Sequence, residues 1–240
     1  VLLQRVDGHA AVVNSAAMTR IGLDPTKKIE GGLLVMKDGK PTGLLVDNAV
    51  AVFQKIFDEA DEATKRKALL AAQADCFAVG LTMVCDAGLD VGSIELIQRM
   101  QQEGALKMRV YAMVADAPEN LDHFARHGAI NEERLKVRSV KVYADGALGS
   151  RGALLKKAYS DQAHHHGLQL ASRQRFLEVA NWCKTHGFQM NTHCIGDSAN
   201  KLLLDVYGEV LGGTNDLRWR IEHAQVVSPD DRPKFGMYSI

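Results

Sequence analysis

Five short apolar runs, each followed by a segment with helical periodicity and cap signals, predict an α/β protein with a parallel sheet covered by helices. Polar residues recur at the C-terminal ends of those runs, and no G-x-G-x-x-G or P-loop sequence accompanies them. A rim of polar side chains at strand ends is the pattern of a (β/α)8 TIM barrel, so a barrel is favoured over a nucleotide-binding doubly wound sheet. A complete barrel has eight strands. Strands numbered about 2 to 6 are legible here, with the start of another at Met237–Ile240. The expected fold is therefore a partial barrel with a β-containing insertion.

The insertion is expected over residues 1–60 and the partial barrel over 61–240. GGLLVMKDGKPTGLLVDNAV holds two apolar runs joined by a turn, and Asp38-Gly39 is a hairpin signal. TKRKALLAAQADCFAVG reads as a helix with Leu69, Ala72, Cys76 and Phe77 on one stripe, stopped by Gly80. LTMVCDAG follows as a strand. Ser93 caps a helix through Met100 that Gly104 ends. MRVYAMVAD is the next strand, and Pro118 to Gly128 bound the next helix. RSVKVYADG is followed by a helix that Ser172 caps, with Phe176, Val179, Ala180 and Cys183 facing the core. FQMNTHCIGD, a helix around Ala199–Val210 and LRWRIEHAQ complete the series, and Ser228-Pro229-Asp230-Asp231 has the form of a capping box. The strands are apolar throughout, as burial of both faces requires.

The chain has 240 residues, 46% hydrophobic and 24% charged, which is enough to bury a sizeable core. Lys+Arg and Asp+Glu both count 29, so no net field recruits nucleic acid or an anionic membrane. No apolar run is long enough to span a bilayer. The expected partner is a small-molecule substrate, with association into a homo-oligomer left open. The chain starts without Met, and both ends read as cuts through a longer protein, so neither cytoplasm nor periplasm is favoured. Cys76, Cys85, Cys183 and Cys194 are scattered with no CxxC pair and read as small buried hydrophobes.

Three strand-end residues carry the chemistry. Lys141 lies between Val140 and Val142 on an expected buried strand, and alternation puts Lys141, Tyr143 and Asp145 on one face. It is either a structural lysine paired with Asp86 or Asp145, or an amine of depressed pKa. Such an amine adds carbon dioxide to give a carbamate, an anionic oxygen ligand for metals. His193 and His223 end consecutive strands, and each is either a core histidine or a metal-ligating imidazole.

SVKVYADGALGSRG, NTHCIGDSAN and IEHAQVVSPDD closely resemble motifs of the amidohydrolase superfamily. With VDGHAAVVNSAA, GGLLVMKDGKPTGLLVDNAV and GLTMVCDAG they resemble its amidohydrolase family 3 branch, into which N-substituted formamide deformylases fall. The resemblance covers nearly the whole chain, with six motifs in order. It implies a (β/α)8 barrel with metal held by a His-x-His pair on the first strand, a lysine on the fourth, histidines on the fifth and sixth and an aspartate on the eighth. By motif, Lys141, His193 and His223 match the middle three. The His-x-His pair and the aspartate have no match here, so no catalytic acid–base residue is expected in this chain.

The implied function is metal-dependent hydrolysis of a non-peptide C–N bond by a metal-activated hydroxide. The cofactor is one or two divalent ions, zinc by default for a His-rich site. His9, Asp145 and Arg151 are candidates for substrate contact, each with an ordinary loop or surface role as the alternative. Asp197 either orients a neighbouring ligand or caps a helix. His164–His166 reads as a solvated loop. Two other readings remain: a truncated barrel with an incomplete metal site, and a metal-free enzyme using Lys141 as a Schiff-base amine.

Overall fold

The computed structural model describes residues 1–22, 24–25, 27–54 and 60–240. The N-terminal part folds around a small antiparallel sheet. Strands β1 (Leu2–Gln4), β2 (Ala10–Val13), β3 (Gly32–Lys37) and β4 (Lys40–Asp47) pair in the order β1-β2-β4-β3. The β3–β4 hairpin turns on Asp38 and Gly39 at φ 49° and 73°, the left-handed pair that a type I′ turn requires. Two helices join the sheet: α1 (Ser15–Ile21), capped by the Asn14 side chain, and α2 (Asn48–Gln54), which leaves β4 directly. Val13, Leu45, Val50 and Phe53 close a small apolar core between them.

Helix and strand then alternate. The order is α3 (Glu62–Ala78), β5 (Met83–Leu89), α4 (Val91–Gln102), β6 (Arg109–Ala115), α5 (Pro118–His127), β7 (Ile130–Asn131), β8 (Leu135–Tyr143), α6 (Arg173–His186), β9 (Gln189–Cys194), α7 (Asp197–Leu211), β10 (Arg220–His223) and α8 (Arg232–Tyr238). Strands β5, β6, β8, β9 and β10 are all parallel and adjacent in the order β10-β9-β8-β6-β5. This is a half-barrel sheet with helices packed on it. The short β7 pairs antiparallel with β8 as it enters the sheet.

The core sits between this sheet and α4–α7. β9 is buried at every residue, which explains why its sequence carries no alternation. Phe176, Val179, Ala180 and Cys183 of α6 face inward as their spacing predicts, and Gly187 ends the helix in the left-handed region. Tyr207 on α7 and Trp219 pack edge to face at 5.0 Å, both fully buried. The Tyr207 hydroxyl is shared with Thr192 Oγ1 (2.7 Å), Met190 O (3.0 Å) and Arg220 O (3.2 Å), so one phenol ties α7 to both β9 and β10.

Several expectations need correction. The Met237–Ile240 segment is not the start of a strand. Residues 232–238 form α8, with Pro233 in its first turn. Its Tyr238 ring lies against Gly208 of α7, so close that a Cβ there would come within 2.5 Å of the ring. Asp90, not Ser93, caps α4 and accepts from Ser93 N at 2.7 Å. Ser228 makes no side-chain cap, and a short 3₁₀ turn at Pro229–Asp231 leads into α8 instead. On α3 no residue is fully buried and Phe77 is exposed. The face that packs runs through Leu69, Gln73 and Cys76, because Gln73 accepts from Lys107 N and Met108 N. Cys183 and Cys194 are buried, but Cys85 is exposed.

The Tyr207 tie gives a stability prediction. Tyr207→Phe keeps the ring and removes the only donor that serves Met190 O and Arg220 O from α7. The expected loss is roughly 1–2 kcal/mol, a fall in Tm of about 2–8 °C at this chain length. A melting curve unchanged from wild type would refute it.

Candidate metal centre and its cleft

Strand register places the candidate residues at one end of the sheet. Lys141 sits level with Ala115 of β6 and Asn191 of β9, and Tyr143 sits level with His193. One strand further, His223 is level with Cys194. The structure thus brings Lys141, His193 and His223 to the C-terminal ends of three neighbouring strands.

Lys141 is 5% exposed and forms no ion pair with Asp86 or Asp145. Its Nζ lies over the Tyr143 ring, 4.1 Å from the centroid. Burial pushes its pKa down, against the opposing pull of Glu222. The net direction is downward, toward easier loss of the ammonium proton than from an exposed lysine.

The His193 and His223 rings meet edge to face at 4.7 Å. Burial pushes the His193 imidazole down to about 3, and the nearby His9, His223 and Lys141 add to this. His223 is lowered for the same first reason, burial, with Lys141 next. His193 Nε2 faces Gly146 O at 3.4 Å and Asp145 Oδ1 at 3.6 Å. Turning one ring N–H to a carbonyl and leaving the other nitrogen free is the usual preparation of a metal-ligating histidine. His223 and Ala224 both adopt positive φ, 74° and 43°, a strained backbone for non-glycine residues. The donor chemistry, two neutral imidazoles and a depressed amine, fits a divalent cation. Among the described residues, no group of three or more His, Cys, Asp or Glu side chains converges as a metal site.

His9 arrives from the antiparallel sheet. Its ring lies 4.9 Å from that of His193, and its Nδ1 is 2.7 Å from Asp47 Oδ1. Sequence reading did not single out Asp47. The only local signal was its place at the end of an apolar strand before Asn48. Cavities of about 340 and 350 Å³ meet at Tyr143, Asn48 and Leu170, with His9 lining one and Lys141 the other. Together they form the cleft between the two sheets.

Three other candidates have different roles. Asp145 is fully buried rather than cleft-lining, and accepts from Leu154 N (2.8 Å), Ile195 N (2.9 Å) and Gly196 N (2.8 Å). Burial pushes its carboxyl up to about 6 against those three bonds. It ties together the loops after β8 and β9, and has no free oxygen for substrate. Arg151 spends its guanidinium on Asp161 in a bidentate pair at the surface. Asp197 neither caps α7, where Gly196 holds the cap position, nor touches His193 or His223. It accepts from Lys156 N at 2.8 Å and Ser228 Oγ at 3.4 Å. His165 and His166 hydrogen-bond the Arg151 and Leu155 carbonyls and pin the long loop after β8.

His193 gives a pH prediction. An unfolded imidazole protonates near its ordinary 6.5, whereas the folded one resists until about pH 3. The unfolded state therefore binds more protons below pH 6.5. Stability is fullest above 6.5 and falls as pH drops toward 3, by up to about 1.4 kcal/mol per pH unit. Denaturant unfolding of wild type and His193→Gln is expected to converge as pH falls through that window. Parallel stability curves would contradict the assignment.

The amidohydrolase family model matches residues 1–237. The chain is 30% identical over 259 residues to Protein LONG AFTER FAR-RED 3 of Arabidopsis thaliana, covering 100% of this chain and 44% of that protein. It is 30% identical over 234 residues to Putative amidohydrolase YtcJ of Bacillus subtilis, covering 95% and 44%. It is 26% identical over 235 residues to N-substituted formamide deformylase of Arthrobacter pascens, covering 90% and 42%. Two crystal structures described as uncharacterized metal-dependent hydrolases also match. That from Pyrococcus furiosus has a TM-score of 0.74 at 28% identity, over 98% of this chain and 48% of its own. That from Pyrococcus horikoshii OT3 has a TM-score of 0.76 at 26% identity, over 98% and 46%. The chain spans less than half the length of each of these relatives. A family match over nearly every residue, on a parallel sheet whose strand ends gather Lys141, His193 and His223, places this chain in the amidohydrolase family.

Proposed function

We propose that the chain is the central part of a (β/α)8-barrel metal-dependent hydrolase that cleaves a non-peptide C–N bond of the amide, imide or N-substituted formamide type. The observation that carries this is the buried Lys141, in no ion pair among the described residues and with Glu222 acting on it only through its field, beside two histidines on consecutive strand ends. The names of the relatives support a hydrolase, and the formamide deformylase among them supports the choice of a C–N bond.

Lys141, His193 and His223 are the residues that would hold a divalent cation, with zinc the choice for imidazole donors. When bound, such a cation polarises a carbonyl and acidifies a coordinated water. Lys141 suits this role as a carbamate. In its neutral form the amine would add carbon dioxide through a new N–C bond and release one proton, turning an uncharged side chain into an anionic oxygen donor. His193 holds its N–H toward Gly146 O and keeps its other nitrogen unprotonated at neutral pH. Tyr143 forms a half-exposed wall where the two cavities join. Substrate contact in this scheme falls to His9, while Asp145 and Arg151 act through the loops they brace.

A second reading has one observation in its favour. Among the described residues the donors are a lysine and two histidines, with no larger convergent group. In that reading these 240 residues by themselves form a truncated, non-catalytic barrel that holds the cation weakly.

The test is hydrolysis of formanilide, succinimide and acetanilide by the zinc-loaded full-length protein. Turnover of at least one, abolished by chelation and restored by zinc, is expected. Lys141→Ala, His193→Ala and His223→Ala should each lower kcat/KM by at least about 100-fold and lower the bound metal per chain. Elemental analysis finding no divalent metal, with none taken up on adding zinc, would sink the reading. Robust hydrolysis by the 240-residue chain alone would remove the second one.

A further inference from the structure

Asp47 has no place in the metal site, yet its surroundings are built closely around it. Its side chain is fully buried, at the junction of β4 and α2, with φ at 50°. One oxygen meets His9 Nδ1 at 2.7 Å, and the other has no hydrogen-bond partner among the described residues. That second oxygen lies in a slot between Gly146 and Gly152 of the loop after β8. A Cβ on either glycine would come within 2.1 Å of it. A buried carboxylate with a single partner is costly.

A carboxylate oxygen only accepts, so the contact puts the imidazole proton on Nδ1. The rest of the His9 backbone is fixed too. His9 N donates to Asp7 Oδ1 at 3.2 Å, and His9 O accepts from Asp47 N at 3.1 Å. Asp47 takes up Nδ1, which leaves Nε2 as the second ring nitrogen of a residue that lines the cavity with Asp47, Asn48 and Tyr143.

We infer that Asp47 is a positioning residue that holds His9 in the Nδ1–H form, so that an unprotonated Nε2 faces the cleft and accepts a hydrogen bond from a substrate N–H. The inference rests on the hydrolase reading for the substrate but not for the tautomer. It narrows the substrate class to compounds whose scissile or adjacent nitrogen still carries hydrogen. N,N-disubstituted amides lack the donor and leave Nε2 unpaired.

Two measurements test it on the full-length zinc-loaded protein. The first is ¹⁵N NMR of the His9 ring without substrate. The expected signature is Nδ1 protonated and Nε2 bare in wild type, weakened in Asp47→Asn, which keeps the shape of the slot and removes the charge. The second compares KM for formanilide and N-methylformanilide. Wild type should favour formanilide by about three- to tenfold, the worth of one hydrogen bond. His9→Ala should erase that preference, and His9→Gln, which offers an oxygen in place of Nε2, should restore part of it. A wild-type His9 carrying its proton on Nε2 overturns the inference, whether or not the protein turns anything over. So does a formanilide preference that survives in His9→Ala. Failure to hydrolyse any of the substrates would instead count against the hydrolase reading, leaving the tautomer to be decided by NMR.

Discussion

The Asp145 carboxylate is the interaction on which the site geometry depends. It is fully buried and gathers backbone N–H groups from Leu154, Ile195 and Gly196. Those residues belong to two separate loops, the long one after β8 and the tight one after β9. Parallel neighbours in a sheet are fixed in register along the strands, but nothing in the ladder fixes the loops beyond them. One anion does this here, through charge-assisted bonds stronger than neutral ones. The ends of the strands carrying Lys141 and His193 are held together as a result. The cost is a carboxyl whose pKa rises to about 6, offset by the three donors.

Asp47 repeats the device between the two sheets. Asp47 carries the end of the antiparallel sheet into the loop after β8, and that loop admits its carboxylate because positions 146 and 152 are glycines. Asn48 adds a second tie, donating to Leu170 O at 3.1 Å. His9 is then carried to within ring contact of His193 by an element outside the parallel sheet. The cleft is thus composite: the parallel sheet supplies the candidate metal donors, and the other sheet supplies the opposite wall.

β6, β8 and β9 were legible because buried parallel strands read as continuous apolar runs, and because glycines and capping residues bound the helices between them, whereas β5 is largely exposed and β10 half-buried, against the expectation of burial. Gly128, Gly187 and Ser172 sit where their chemistry predicts. The helices α1 and α2 were not legible, since each spans only seven residues and depends on packing over the small sheet. α8 was misread because FGMYSI alternates like a strand, while Pro233 and the contact of Tyr238 with Gly208 decide for a helix. Lys141, His193 and His223 lie at neighbouring strand ends, a placement their positions in the apolar runs already suggested. Asp145 and Asp197 were found as polar residues near the site, but their partners are backbone amides far along the chain, which spacing does not reveal. Asp47 was missed because its value lies in two glycines about a hundred residues away.

The central claim is that Lys141, His193 and His223 share one cation. Anomalous diffraction at the zinc edge, on crystals of the full-length protein grown with zinc and bicarbonate, tests it most directly. A peak about 2.0–2.1 Å from an imidazole nitrogen of both His193 and His223 is expected, with extra density extending Lys141 as a carbamate. Zinc bound elsewhere, with these three side chains unchanged and Lys141 unmodified, would contradict it.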